Sequence, residues 1–104
     1  DFRAHDNFAI RAAARNGHPD VLRFLYDEVH LTPDDFRSEN NVAIKWAARN
    51  GHVDVLRFLK DEVGLIDVDF RAVNNYAIRF AARYGDLNVL KFLKDEVGLT
   101  ADDF

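Results

Sequence analysis

Cysteine is absent from this chain, which excludes a disulfide framework, a thiolate metal site and a thiol nucleophile, and leaves the redox compartment unread. Only histidine, aspartate and glutamate remain as ligands. Serine occurs once, at Ser38, with no neighbouring motif to activate it as a nucleophile. The glycines stand singly rather than as G-x-G-x-x-G or a phosphate loop. No apolar run approaches the roughly 18–20 residues of a spanning helix, and the first residues lack the basic-then-apolar layout of a signal peptide. The expected setting is therefore intracellular, in the cytoplasm. A basic excess is missing too: 14 Lys and Arg face 18 Asp and Glu, a formal net charge of -4. That balance argues against nucleic acid or an anionic membrane as partner, although the charge of one face matters more than the total.

What is present is a repeat. With 104 residues and 48% hydrophobic content the chain suits one domain with a continuous core. Asp1-Phe2-Arg3 returns as Asp35-Phe36-Arg37, as Asp69-Phe70-Arg71 and as Asp103-Phe104, a period of 34. Units spanning 3–36, 37–70 and 71–104 share 18 of 34 positions, most of them apolar or turn-forming, so each unit folds alike.

Within a unit, Ala9, Ile10, Ala13 and Ala14 place small apolar groups on one helical face. Asn7 before them reads as an N-cap and Gly17 after them as a left-handed stop, giving a first helix over Phe8 to Asn16. A second helix starts at Pro19, with His18, His52 and Asp86 in the cap position, and runs to about Val29. Val21, Leu22, Phe24, Leu25 and Val29 form its apolar face, while Arg23 and Asp27 point outward. Gly64 and Gly98 close the later copies. Thr32-Pro33-Asp34-Asp35 carries helix-start chemistry and predicts a short helical turn, repeated at Thr100-Ala101-Asp102-Asp103. Ile66-Asp67-Val68-Asp69 has lost the Thr, so this turn is capped by Asp67 or not at all. Phe36, Phe70 and Phe104 read as aromatic plugs between units.

The stretches Asn7 to His18 and Asn75 to Asp86, with paired alanines and a terminal Gly-His or Gly-Asp, resemble the ankyrin repeat, as does Val21-Leu22-Arg23-Phe24-Leu25 for its second helix. The resemblance covers nearly the whole chain. It implies an all-α solenoid of three stacked helix-turn-helix repeats presenting a concave binding face, and the apolar residues kept in the first and third units leave it uncapped. Two departures stand out. Phe8-Ala9-Ile10-Arg11 replaces the family's Thr-Pro-Leu-His, and each unit is one residue longer than usual. Because Asp34 to Glu39 lacks strand alternation, the family's projecting β-hairpin is expected to give way to a short helical turn.

No catalytic constellation emerges. His5, His18, His30 and His52 have no metal-binding spacing, and His18 and His52 read as turn histidines bonding backbone. Asp27-Glu28, Asp61-Glu62 and Asp95-Glu96 read as a solvated outer surface rather than an acid and base pair. No enzyme activity, cofactor, metal or small-molecule ligand is expected.

Recognition is the remaining class. Arg11, Lys45 and Arg79 precede Arg15, Arg49 and Arg83 by one helical turn, forming a ladder that suits an acidic peptide. The competing and favoured reading is that Asp and Glu of neighbouring connectors neutralise it. Positions that vary between units mark the binding face that the ankyrin resemblance implies: His5, Asn16, Glu39, Asn50, Val73 and Tyr84. Trp46, like Phe80, is either a hot spot or inter-repeat packing. The resulting expectation is a non-catalytic protein-interaction module or scaffold. The alternative is a self-assembling protein whose apolar ends, with Ile10 and Val21 in the first unit and Val89, Leu90, Phe92, Leu93 and Val97 in the third, stack head to tail into a filament or tube.

Overall fold

The small-residue spacing of the first helices and the broad apolar face of the second ones are realised as two helical layers. The computed structural model describes residues 7–104. Unit one contains α1 (Phe8–Asn16), α2 (Pro19–Asp27) and the one-turn α3 (Pro33–Phe36). Unit two contains α4 (Ser38–Arg49), α5 (Val53–Phe58) continued by a π-helical turn (Leu59–Val63), and α6 (Asp67–Phe70). Unit three contains α7 (Ala72–Arg83) and α8 (Leu87–Phe92), again with a π-helical continuation (Leu93–Val97). The first helices α1, α4 and α7 lie side by side, and α2, α5 and α8 form the second layer. The molecule is elongated, 40 × 21 × 20 Å, as a stack in which units touch only neighbours must be.

Alanine allows the first layer to pack closely. Ala13, Ala14, Ala43, Ala47, Ala48, Ala77 and Ala81 are buried beside Ile10, Ile44 and Ile78. Gly17 ends α1 in the left-handed region with its N–H on the Ala13 carbonyl. A side chain there would also meet the His52 ring of the next unit, and one at Gly51 would meet the Asp86 carboxylate, so close approach reinforces the choice of glycine. Pro19 opens α2 as expected, although that helix stops at Asp27 and Glu28 rather than at Val29.

The connectors contain no strand among the described residues. Thr32 caps α3 reciprocally: its hydroxyl accepts from Asp35 N at 3.2 Å, and Asp35 Oδ2 accepts from Thr32 N at 2.7 Å. In the second connector the cap is Asp69, whose Oδ2 accepts from Ile66 N at 2.9 Å, and not the expected Asp67, which instead meets Arg71. Sharing the aspartate of the reciprocal cap outlives the loss of the threonine.

Each connector then turns left-handed. Glu39, Asn40 and Asn41, and again Val73, Asn74 and Asn75, hold φ between 53° and 59°, and Asn41 N and Asn75 N close these turns on the carbonyls of Arg37 and Arg71 at 2.9 Å. Asn7 is also left-handed. Its side chain does not cap α1; its amide donates to Ser38 Oγ at 3.1 Å and to the Asp35 carbonyl at 3.5 Å, tying unit one to the next connector. Asparagine tolerates this backbone region because its short polar group bonds locally, whereas Val73 is placed there against a steric cost.

Three further seams repeat along the stack. Phe36 and Phe70 are fully buried plugs, packed on Phe58 at 6.4 Å and on Phe92 at 5.9 Å in the following unit. Arg37 reaches Asp69, and Arg71 reaches Asp103, at 3.0 and 2.8 Å. Arg23 grips Glu62, and Arg57 grips Glu96, each closest contact being 2.7 Å. The expected outward partner of Arg23, Asp27, gives way to Asp20 and Glu62. Phe104 departs from its equivalents and is 54% exposed, since no further unit covers it among the described residues.

Candidate functional site

The first-helix layer carries the two cation rows, and their surroundings differ from the favoured expectation of neutralising carboxylates. Among the described residues the rows make one ion pair, Arg11 with Glu39 at 3.7 Å. Aromatic rings fill the other spaces. Arg15 lies 4.8 Å from the Trp46 ring centre and Arg49 lies 5.2 Å from that same ring. Arg49 also sits over Phe80 at 5.3 Å and Tyr84 at 6.0 Å, and Arg83 over Phe80 at 5.8 Å and Tyr84 at 5.9 Å. Lys45 and Arg79 each stand 5.7 Å from Tyr76, and Arg11 stands 5.6 Å from Phe8. Each such contact contributes about 0.5–1 kcal/mol on an exposed surface, enough to seat a guanidinium without an acid beside it.

The two rows are not equivalent. Arg79 donates through Nε to the Asn74 carbonyl at 2.9 Å and through a terminal nitrogen to the Val73 carbonyl at 3.1 Å, so it secures the left-handed turn of its own unit. Among the described residues, Arg15, Arg49 and Arg83 meet no carboxylate. The Tyr76 hydroxyl, then Tyr84, holds the Arg49 guanidinium above the ordinary arginine pKa. Arg15 and Arg83 are exposed and Arg49 is half-buried, so this row presents charged N–H groups at the surface. Trp46 and Phe80 serve as the spacers between its successive cations.

The remaining expected positions divide. His5 lies outside the described residues. Asn16 is exposed and its amide turns back to the Ala12 carbonyl at 2.9 Å. Asn50 is spent on a seam, donating to the Arg15 carbonyl at 3.0 Å beside His52 Nε2, which donates to the same oxygen at 3.0 Å. Val73 and Glu39 occupy the exposed connector tips, and Tyr84 is 53% exposed at the end of the strip. The acidic pairs of the second helices are exposed as expected, with Glu62 and Glu96 held below the usual carboxylate range by their hydrogen bonds to Arg23 and Arg57. A shallow hollow of about 600 Å³ between the second helices has walls of both signs, with Arg57 and Lys91 facing Asp54, Asp95 and Glu96. No cluster of three His, Asp or Glu among the described residues is placed to hold a metal, and no described helix is long and apolar enough to cross a membrane.

A family model described as ankyrin repeats matches three copies across residues 9–103. The chain belongs to the ankyrin-repeat family. No match was found among curated proteins or among solved structures. Ankyrin repeats generally mediate protein–protein interaction and are typically non-catalytic. Within this ankyrin stack the residue alternation along the strip went unread in the sequence. Its signal was present in the column Ala12, Trp46, Phe80, which sits between the two cation positions of each unit and is aromatic in the second and third units.

Proposed function

We propose that the chain is a protein-binding module whose contact surface is the basic, aromatic strip on α1, α4 and α7, and that its partner presents an acidic segment. The observation that carries this reading is the row Arg15, Arg49 and Arg83, seated on Trp46, Phe80 and Tyr84 with no carboxylate beside them among the described residues. Aromatic and arginine side chains are the types that dominate interface energies. Held by rings, these guanidinium groups are already desolvated on one face and ordered, so less is lost when a carboxylate arrives. Arg11, Lys45, Tyr84, Asn16, Glu39 and Val73 border the strip, with Arg79 as a structural member.

Selection of a random peptide library on the protein tests the reading. The expected winners are acid-rich, bind more weakly as salt rises, alter Trp46 fluorescence, and lose about tenfold or more in affinity to the Arg49→Gln variant. Winners that bind wild type and Arg15→Gln/Arg49→Gln equally refute it.

A second reading, head-to-tail assembly, is supported by one specific pattern, which keeps Val21 of the residues first expected and replaces most of the others. Ile10, Val89, Phe92 and Leu93 are buried. The leading face carries the expected Val21 together with Phe24, and the trailing face carries Phe104. Phe36 and Phe70 pack on the equivalents of Phe24, and Arg23 and Arg57 pair with equivalents of Glu28, so Phe104 and Lys91 of one copy fit Phe24 and Glu28 of another. Light scattering that grows with concentration for wild type and is abolished in Phe24→Glu supports this reading; a concentration-independent monomer rejects it.

A further inference from the structure

The strip fixes a spacing as well as a charge. Arg15 and Arg49 flank the Trp46 ring at 4.8 and 5.2 Å, which places their guanidinium carbons no more than about 10 Å apart, in keeping with the 8–10 Å between packed helices. Arg49 and Arg83 flank Phe80 at 5.3 and 5.8 Å, a limit of about 11 Å by the same geometry. Those sums are upper limits; the interval itself follows from the packed first helices that carry the cations, about 8–10 Å apart, so a straight chain that takes one cation per unit needs carboxylates on one side at intervals of about that size.

Backbone conformations differ in whether they supply it. In a β-strand, same-side residues recur at about 7 Å and then about 13 Å, which misses the interval. A polyproline-II helix has three residues per turn and rises 3.1 Å per residue, so every third side chain returns to the same side after about 9 Å. An α-helix reaches about 10 Å only between residues seven apart. Unsatisfied donors separate these last two. A guanidinium has five N–H groups and a bidentate carboxylate takes two, leaving the rest in need of acceptors. The carbonyls of an α-helix are consumed internally, whereas those of a polyproline-II chain are free.

We infer that the strip is built for an extended, polyproline-II-like segment carrying a carboxylate at every third residue. This rests on the acidic-partner reading above and narrows it. Arg15, Arg49 and Arg83 each take one carboxylate, and the intervening backbone carbonyls lie against the remaining donors. Trp46 and Phe80 keep the cations in register.

The test is titration of the full chain, followed by fluorescence of Trp46, its single tryptophan, with three peptides of equal charge: Glu-Pro-Pro in three copies, the same composition with the glutamates adjacent, and an alanine-based helix with glutamate at every seventh residue. A single-stranded oligonucleotide is the fourth ligand. The expected result is that the period-three peptide binds at least about tenfold tighter than its clustered isomer, and that Arg49→Gln removes this preference while Arg57→Gln, outside the strip, retains it. Matching thermal midpoints of the variants show that folding is intact, and Arg15→Gln replaces Arg49→Gln if it is not. Equal binding of the two isomers, preference for the helix, or tighter binding of the oligonucleotide overturns the inference. If acid-rich peptides bind without regard to pattern, only the spacing falls; if none binds, the acidic-partner reading falls with it.

Discussion

Individual residues show how a repeat tolerates imperfect copies. Gly64 and Gly98 end their helices with φ of 87°, and His30 takes the same place in unit one with φ of 66°. A Cβ in this region costs about 1–2 kcal/mol, partly offset by the greater freedom glycine has when unfolded. His30→Gly is therefore expected to raise stability by about 1 kcal/mol, read as a shift in the urea midpoint; an unchanged or lower midpoint contradicts the strain. Asp103 is a second case. The Arg71 guanidinium, followed by the Thr100 backbone, depresses its pKa to about 2. A depressed carboxylate adds stability that is complete above its unfolded pKa near 4 and vanishes as pH falls toward 2. Glu62, Glu96 and Asp67 shift the same way. The urea midpoint is thus expected to be level above about pH 5 and to fall between about pH 4 and 2, less steeply in Asp103→Asn. Equal slopes in the two proteins contradict this.

Helices and connectors differ in how far the sequence announced them. The bounds of α1, the proline start of α2, the Gly17 stop and the Thr32–Asp35 cap were all legible because each depends on a short-range rule and a residue type that few other roles favour. The left-handed turns were not legible. Asn40-Asn41 hints at them, but Val73 argues against, and the bonds from Arg79 to the Val73 and Asn74 carbonyls that support its turn lie several residues further on. The cations were visible as rows and their aromatic seating was not, because Arg15 and Trp46 lie 31 positions apart and meet only once units stack. The plugs were visible and their partners in the next unit were hidden for the same reason. Phe36 is fully buried against Tyr26 and Phe58, so Phe36→Ala is expected to cost about 3–5 kcal/mol, with Phe104→Ala nearly silent in the monomer. Comparable losses at both positions in chemical denaturation contradict the burial pattern.

For the molecule as a whole, seams made only between neighbours imply that stability accumulates with unit number. Excising residues 37–70 joins Phe36 to Arg71 and keeps the aromatic plug and the arginine–glutamate seam in register, while the bonds of Ser38, Asn50 and His52 to unit one are lost, so the shortened protein is expected to stay helical by circular dichroism with a lower thermal midpoint; an unfolded product shows that the three units act as one indivisible cooperative block. The strip has a further consequence at this scale. The net charge of -4 conceals a strong separation, since Arg11, Arg15, Lys45, Arg49, Arg79 and Arg83 share one side with little acid while the carboxylates concentrate elsewhere. The protein is thus an electric dipole. The acidic partner proposed above would at low ionic strength meet it already turned to the strip, and that guidance would fade as the Debye length shrinks below the width of the strip. Speed of encounter, more than tightness of the final complex, is the quantity that dissolved salt controls.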